Sequence, residues 1–203
     1  MVNKNTIINI KKLAFDKKFL STLWRIKPNL PLFDKKVLEL KNIAKEKLTP
    51  RAFTAVCSAT YDGKKVMISK DNNFCFNLNF STVGKFSIKN YFSTTPKNIH
   101  FQLVTLGKQA IDILNKFLKD DNFSDYFFWH GFCAMLTESC ADYTQENILK
   151  IGLEHKRYSF GYPSCGELFE QKKIVKMFNT NDVVSNDLGE LEPIYSTCGV
   201  VIC

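Results

Sequence analysis

The sequence has few arginines: only three of its 28 basic residues, Arg25, Arg51 and Arg157, are not lysine. Proteins that read nucleic acid commonly use the planar fork of arginine to bind base edges and phosphates. The lysines are also spread along the chain. The net charge of +8 therefore does not favour a nucleic-acid-binding protein over a protein whose basic surface has another role. A lysine-rich nucleic-acid-binding protein stays an alternative, but one that the motifs below do not require.

The sequence also has no run of about 18 apolar residues, so we expect no transmembrane helix. Its first 12 residues contain lysines and the apolar pair Ile7-Ile8, but not the long apolar core and cleavage site of a secretory signal. Hydrophobic residues make up 45% of the 203 residues, which is enough for a sizeable core. We therefore expect a soluble, cytoplasmic protein.

No Cys-x-x-Cys pair occurs among the seven cysteines, and their number is odd. Zinc sites usually show paired ligand spacing, so we expect reduced thiols and no metal site. His100, His130 and His155 are isolated in the sequence and are interpreted as structural side chains. No catalytic dyad is apparent.

Helical and strand periodicities predict an α+β fold, in which helices pack on an antiparallel β-sheet. The predicted helices cover residues 10–24, 34–48, 108–118, 126–149 and 166–178, with Asp34 as the N-cap of the second. The predicted strands cover residues 51–60, 65–69, 74–80, 98–105 and 194–202, with a hairpin turn at Asp62-Gly63. No repeat or linker is visible. We therefore predict a single domain over residues 1–203, in which a helical N-terminal segment, 1–50, precedes an α+β body, 51–203.

Two features have both an ordinary and a functional interpretation. The turn Thr105-Leu106-Gly107 lies between a predicted strand and helix, where it is either a simple connection or an anion cradle at the helix N-terminus. Glu138, Asp142 and Glu146 are spaced four residues apart on a predicted helix, as either a solvated acidic stripe or part of a site.

The segment from Arg157 to Cys165 is the third such feature. Gly161 and Pro163 flank Tyr162, which indicates a loop of defined shape between two predicted helices. The arginine can bind a carboxylate or phosphate through two parallel hydrogen bonds, and the tyrosine can stack on a flat ring. The alternative is a tight interhelical loop with a surface arginine and a core tyrosine.

The pattern Arg157-x-x-x-Gly161-Tyr162-Pro163-x-Cys165 resembles the signature segment of the S-adenosylmethionine-binding activation (reactivation) domain of cobalamin-dependent methionine synthase, in a stand-alone form. The segment 136–142 is similar to the family's helical pattern Leu-Ala-Glu-x-x-Ala-Glu, and the segment 193–199 is similar to its later pattern Pro-x-x-Ser-x-Ser-Gly. Three ordered matches over about 65 residues are more specific than any one of them.

The sequence also departs from the family pattern. Ile151 stands where longer members have a glutamate, with Glu154 as the nearest acid, and Gly166-Glu167 replaces a Pro-acid pair. An N-terminal aspartate of the family and a tyrosine after its Ser-Gly segment have no counterpart that we can place in this sequence. A degenerate ligand site is therefore an alternative to an intact one.

The resemblance implies roles for four residues. Arg157 would bind the carboxylate of S-adenosylmethionine, Glu138 would face its ammonium group, and Gly161 and Tyr162 would shape the adenosine end of the site. No residue is implied as a catalytic acid, a base or a metal ligand.

The resemblance also implies a function in methionine biosynthesis. The chain would support reductive methylation of cobalamin, which a separate methionine synthase or other corrinoid protein supplies, with a flavodoxin-like protein as a possible electron donor. Whether the chain is itself an enzyme stays open; if it is, it is a methyltransferase component. The alternative is a non-catalytic docking or sensor module for a corrinoid methyltransferase.

Overall fold

The computed structural model describes residues 4–28, 30–61, 65–70, 73–78, 97–155, 157–161 and 166–202. In these ranges the helices are α1 (Lys17–Trp24), α2 (Pro31–Lys47), α3 (Lys108–Lys119), α4 (Phe123–Tyr143) and α5 (Gln171–Phe178). The strands are β1 (Lys4–Ile7), β2 (Arg51–Tyr61), β3 (Val66–Lys70), β4 (Asn73–Leu78), β5 (Lys97–Thr105), β6 (Arg157–Tyr158), β7 (Val184–Ser185), β8 (Leu191–Glu192) and β9 (Ser196–Ile202).

Seven of these strands form one antiparallel sheet in the order β4-β3-β2-β5-β9-β6, with β1 added to the start of β2. β5 lies at its centre, paired along its length with β2 on one side and β9 on the other. β7 and β8 form a separate two-stranded ribbon. The predicted α+β fold with an antiparallel sheet is confirmed.

The two faces of the sheet are covered by different helices. Successive side chains of a strand point to opposite faces, so on β5 Val104 joins a hydrophobic cluster with α1 to α4, whereas Leu103 joins a cluster with α5. Trp129 of α4 is fully buried in the first cluster and donates a hydrogen bond from Nε1 to the carbonyl oxygen of Ala110 at 2.9 Å. This bond fixes α4 against α3 on the helical face of the sheet.

The N-terminal helices begin at other residues than the sequence predicts. A 3-10 turn, Ile10–Lys12, precedes α1, whose N-cap Asp16 accepts a hydrogen bond from the backbone N–H of Phe19 at 2.9 Å. α2 begins at Pro31, because proline suits the first helical turn and lacks an N–H that would need a partner there. The predicted N-cap role of Asp34 is therefore wrong: its carboxylate lies in the first turn and accepts a hydrogen bond from Lys17 at 2.7 Å.

The longest C-terminal helix also differs in its bounds. α4 begins at Phe123, where the side chain of Asn122 accepts a hydrogen bond from the N–H of Asp125 at 3.2 Å, and a π-helical turn, Thr144–Ile148, extends it. The helix predicted for 166–178 is a 3-10 turn, Leu168–Glu170, followed by α5.

The hairpin turn predicted at Asp62-Gly63 lies outside the described residues, although β2 and β3 pair as a hairpin requires. In the described ranges no helix has both the length and the apolar character needed to cross a membrane.

Candidate functional site

Arg157 lies on β6, a two-residue strand at the edge of the sheet, where it pairs with Val201 of β9. Its side chain is only 14% exposed, so the guanidinium needs partners that offset the loss of water. A charged side chain at the edge of a sheet can reach both a covering helix and a molecule bound alongside the edge.

Two carboxylates of α4 provide those partners. Arg157 donates a hydrogen bond from Nη1 to Oδ1 of Asp142 at 2.9 Å and another from Nη2 to Oε2 of Glu138. The two acids are one helical turn apart and therefore lie on the same side of α4. Both are about half exposed, 49% for Glu138 and 50% for Asp142, so the cluster of one cation and two anions opens to solvent.

The neighbouring strand leaves room for the stem of this arginine at Gly199. A Cβ at Gly199 would lie 2.8 Å from Cγ of Arg157, closer than such atoms approach each other in proteins. Any side chain at this position of β9 would therefore displace Arg157. Gly199, in the segment 193–199, thus provides the space that the side chain of Arg157, in the segment 157–165, occupies.

The loop after β6 turns sharply at Gly161. This residue has φ = +89°, a conformation that favours glycine, and its N–H donates a hydrogen bond to the carbonyl oxygen of Gly166 at 3.0 Å. A Cβ at Gly161 would also lie 2.9 Å from Cδ1 of Leu168. The other predicted loop residue of the site, Tyr162, lies outside the described residues.

The segment that precedes Gly199 is fixed to the centre of the sheet. The buried Tyr195 accepts a hydrogen bond at its carbonyl oxygen from the N–H of Leu106 at 3.0 Å, and its hydroxyl lies 2.8 Å from Nδ1 of His130. Burial raises the pKa of the Tyr195 hydroxyl, so this group stays neutral. Ser196 donates a hydrogen bond to Oγ1 of Thr105 at 2.8 Å. These bonds hold the start of β9 in place beside the loop.

A recess of about 430 Å³ lies where these segments meet. It is lined by residues of the loop after β6, of the turn before α5 and of the start of β9, including Ser159, Leu168 and Thr197. Its volume is within the range of about 300–1,000 Å³ that small-molecule sites show. Phe160 and Cys198, which line it, belong to the hydrophobic cluster with α5, whereas the guanidinium of Arg157 contacts α4 on the other face of the sheet. The recess and the Arg157 cluster are therefore separate features.

The chemistry of the site favours binding over acid–base catalysis. A cation and two half-exposed carboxylates can hold a small zwitterion, because each of its charges finds an opposite charge. In the part of the chain that the structure describes, no group of three or more histidine, cysteine, aspartate and glutamate side chains is placed to hold a metal ion.

The sequence placed Asp142 in the acidic stripe of Glu138, Asp142 and Glu146, with a site as one of two interpretations, but gave it no individual role. Asp142 also occupies the second acidic position of the helical pattern, one turn after Glu138. Gln102 has no such signal apart from being polar in an otherwise apolar stretch of β5. Both of its side-chain polar atoms are buried without a hydrogen-bond partner, and it lies opposite Gly199 on the face that Arg157 shares.

The turn Thr105-Leu106-Gly107 was the other candidate, as an anion cradle. Gly107, with φ = +82°, precedes α3, and its N–H donates to Oγ1 of Thr105 at 3.0 Å. A separate cleft of about 820 Å³ lies there, lined by Arg51, whose guanidinium donates to Asp182 at 2.9 Å, and by Lys108. The structure brings this turn close to the start of β9 through Ser196 but not to the Arg157 cluster.

No family model matches the chain. Two curated relatives are similar over 128 residues, which cover 50% of this chain: methionine synthase of Mycobacterium tuberculosis (strain ATCC 25618 / H37Rv) at 27% identity, and methionine synthase of Mycobacterium leprae (strain TN) at 26% identity. The match covers 11% of the first relative and 10% of the second, so the chain spans about a tenth of the length of these enzymes.

Among solved structures, the crystal structure of the MetH reactivation domain bound to AdoHcy is similar to the whole of this chain, with a TM-score of 0.84. The match covers 78% of that chain at 13% sequence identity, so it shows the shared fold alone. The chain therefore resembles the methionine synthase reactivation domain in fold, and over half of its length it also resembles methionine synthase in sequence.

Proposed function

We propose that this chain binds S-adenosylmethionine at the Arg157 cluster and supports the reductive methylation of cobalamin on a separate methionine synthase or other corrinoid protein. One observation carries the proposal: Arg157 contacts all three segments on which the sequence resemblance rests. Its guanidinium binds Glu138 and Asp142 of the first, it belongs to the second, and its stem crosses Gly199 of the third. Segments that are spread over about 65 residues of the sequence thus meet at one side chain.

The residue roles in this proposal follow from charge and exposure. Arg157 offers two parallel N–H donors to the ligand carboxylate. In this exchange the charge-assisted pair with Glu138 is replaced by a charge-assisted pair with the ligand. Glu138, which is half exposed, is then free to accept from the ligand ammonium, while Asp142 still holds the guanidinium. Because the cluster carries one excess negative charge, it suits a ligand whose sulfonium adds one net positive charge.

Gly161 and Tyr162 complete the proposed site at the adenosine end. The positive φ of Gly161 brings the backbone of the loop against Leu168, beside the recess. The ligand supplies the methyl group; the work of the chain is to bind and orient it, and we assign no residue a catalytic role. Cobalamin would come from the partner, and the electron from a flavodoxin-like protein.

Two further observations fit this function. The described cysteines Cys57, Cys133, Cys140 and Cys198 are buried thiols that form no disulfide with one another, which is typical of a reducing compartment and supports a cytoplasmic location. The sequence similarity to methionine synthases supports a cobalamin-binding module of that kind as the partner.

A second candidate function is a docking or sensor module that no longer uses the ligand for methyl transfer. The salt bridge between Arg157 and Glu138 favours this second function, because a ligand carboxylate must displace Glu138 before it can bind to Arg157. A scaffold of this kind would keep the salt bridges as permanent structure.

The experiment that tests both candidates is a reconstituted methyl transfer. The chain is mixed with methionine synthase lacking its reactivation domain, whose cobalamin has been oxidised, together with a reductant and methyl-labelled S-adenosylmethionine. The proposal predicts label on the corrinoid that depends on the chain and is lost in Arg157→Ala but kept in Glu146→Gln. Ligand binding without label transfer supports the sensor, and the absence of both contradicts the proposal.

A further inference from the structure

The net charge of the chain is concentrated at its N-terminus. Residues 1–50 contain 12 basic and four acidic side chains, a net charge of +8, whereas residues 51–203 contain 16 of each. The lysines are thus spread along the chain, but the excess of basic over acidic residues lies in residues 1–50. The described residues 4–48, which include β1, α1 and α2, are called the basic layer below.

The acids of the basic layer are already engaged inside it. Asp16 caps α1, and the other three form the salt bridges Lys17–Asp34 at 2.7 Å, Lys36–Glu39 at 3.0 Å and Lys47–Glu46 at 2.7 Å. Among the described residues, exposed lysines such as Lys18, Lys35 and Lys45 form no ion pair. These lysines are therefore available to pair with acids from outside the basic layer.

The same layer exposes large apolar side chains. Leu32 is 69% exposed and Leu38 is 58% exposed, and Phe19, Leu23 and Leu30 are exposed to lesser degrees. On α2 the buried side is formed by Phe33, Val37, Leu40 and Ala44, so Leu38 lies on the opposite side, between Lys35 and Lys45 along the helix. A helix that contacts only solvent gains nothing from exposed leucines that are flanked by unpaired lysines.

We propose that the basic layer docks on an acidic surface of another protein that also offers apolar side chains. Nucleic acid fits less well, because only one of the 12 basic residues is an arginine and the leucines have no role against phosphates. A membrane surface also fits less well. An interfacial helix needs a continuous apolar face, and the outward side of α2 sets Leu38 among Lys35, Asn42 and Lys45.

The docking surface is separate from the Arg157 cluster. Lys36 of α2 binds Asp125 at the start of α4 at 2.5 Å, whereas Arg157 binds Glu138 and Asp142 near its end. Asp125 and Glu138 are 13 positions apart on α4, which at a rise of about 1.5 Å per residue is roughly 20 Å. This inference therefore does not rest on the proposed ligand.

The test uses a synthetic helical peptide with leucines on one side and glutamates flanking them, titrated against the full chain by fluorescence anisotropy at low salt. We expect saturable binding that falls at least ten-fold in a K18E/K35E/K45E variant and several-fold in L32A/L38A. The matched control is K108E/K116E/K119E on α3, which removes the same number of exposed lysines elsewhere and should keep peptide binding.

Three results would overturn the proposal: no binding of the peptide, an equal loss in both triple variants, or tighter binding to a random-sequence DNA duplex or to vesicles with 30% phosphatidylserine. Circular dichroism of each variant checks that it is folded. Titration with S-adenosylhomocysteine is run in parallel, so that failure of the ligand proposal is distinguished from failure of the docking proposal.

Discussion

The side chain of Arg157 crosses β9 directly over Gly199, where a Cβ would lie 2.8 Å from Cγ and 3.0 Å from Cδ of the arginine. A side chain at position 199 and the observed placement of the Arg157 side chain therefore exclude each other.

The first prediction concerns this contact. In Gly199→Ala, Arg157 must shift away from Glu138 and Asp142, and we expect the affinity for S-adenosylhomocysteine to fall by about 3- to 10-fold, or roughly 0.7–1.4 kcal/mol. Calorimetric titration measures the change. The control is the same substitution in an Arg157→Ala background, where no arginine remains to be displaced and no further loss is expected. Equal losses in both backgrounds would contradict a steric mechanism.

The second prediction separates the two acids of the cluster from the rest of the acidic helix. Glu138→Gln removes the proposed partner of the ligand ammonium, so we expect about ten-fold weaker binding of S-adenosylhomocysteine, in line with a charge-assisted hydrogen bond of roughly 1.5 kcal/mol or more. Asp142→Asn should have a smaller effect, because the amide oxygen can still accept from Arg157. Glu146→Gln, on an exposed residue of the same stretch, is the matched control. If all three variants bind alike, Glu138 does not contact the ligand.

The third prediction concerns Gln102. Its buried amide has no hydrogen-bond partner, and an unsatisfied buried polar group costs about 1–3 kcal/mol. Gln102→Met keeps the shape and removes this cost, so the free energy of unfolding should rise by about 1 kcal/mol or more in urea denaturation. Thr54→Val, at the neighbouring buried position of β2, serves as the comparison. A destabilised Gln102→Met protein would show that the amide is satisfied in solution, for example by a buried water.

The fourth prediction is a pH dependence from His100. Burial lowers the pKa of His100 below its usual 6.5, so the folded state favours the neutral imidazole while the unfolded chain takes up a proton. The free energy of unfolding should therefore be highest above pH 6.5 and should fall as the pH drops below it.

His100→Gln should flatten this dependence between pH 7.5 and 5.5, a window that lies above the titration of Asp125, whose pKa is lowered by Lys36 and Asn122. Denaturant midpoints at several pH values provide the measurement. An unchanged slope in His100→Gln would assign the pH dependence to other groups.

The sequence was sufficient to predict much of the sheet and the helical face. Alternating apolar residues and helical spacing predicted β2, β3, β4, β5, β9, α3 and most of α4, because these elements bury one face or one stripe. The strands β1, β6, β7 and β8 were missed, since two to four residues carry too little periodicity. The start of α2 was predicted three residues late, at Asp34, because aspartate is a favoured N-cap residue, whereas the structure begins the helix at Pro31.

The candidate site was only partly predictable. Arg157, Glu138 and Gly161 were identified through a motif resemblance, and the structure places the first two in direct contact. The pairing of Asp142 with Arg157 depends on how β6 sits beneath α4, a long-range relationship that local spacing does not encode. The position of Gln102 opposite Gly199 depends on sheet register in the same way.

The measurement that tests the central claim most directly is calorimetric titration of the chain and its Arg157→Ala variant with S-adenosylmethionine and S-adenosylhomocysteine. We predict saturable binding at micromolar concentrations that Arg157→Ala weakens by about 10- to 150-fold, which corresponds to the roughly 1.5–3 kcal/mol of a charge-assisted hydrogen bond. Unchanged affinity in Arg157→Ala, or no binding of either compound to the unmodified chain, would contradict the assignment of this site.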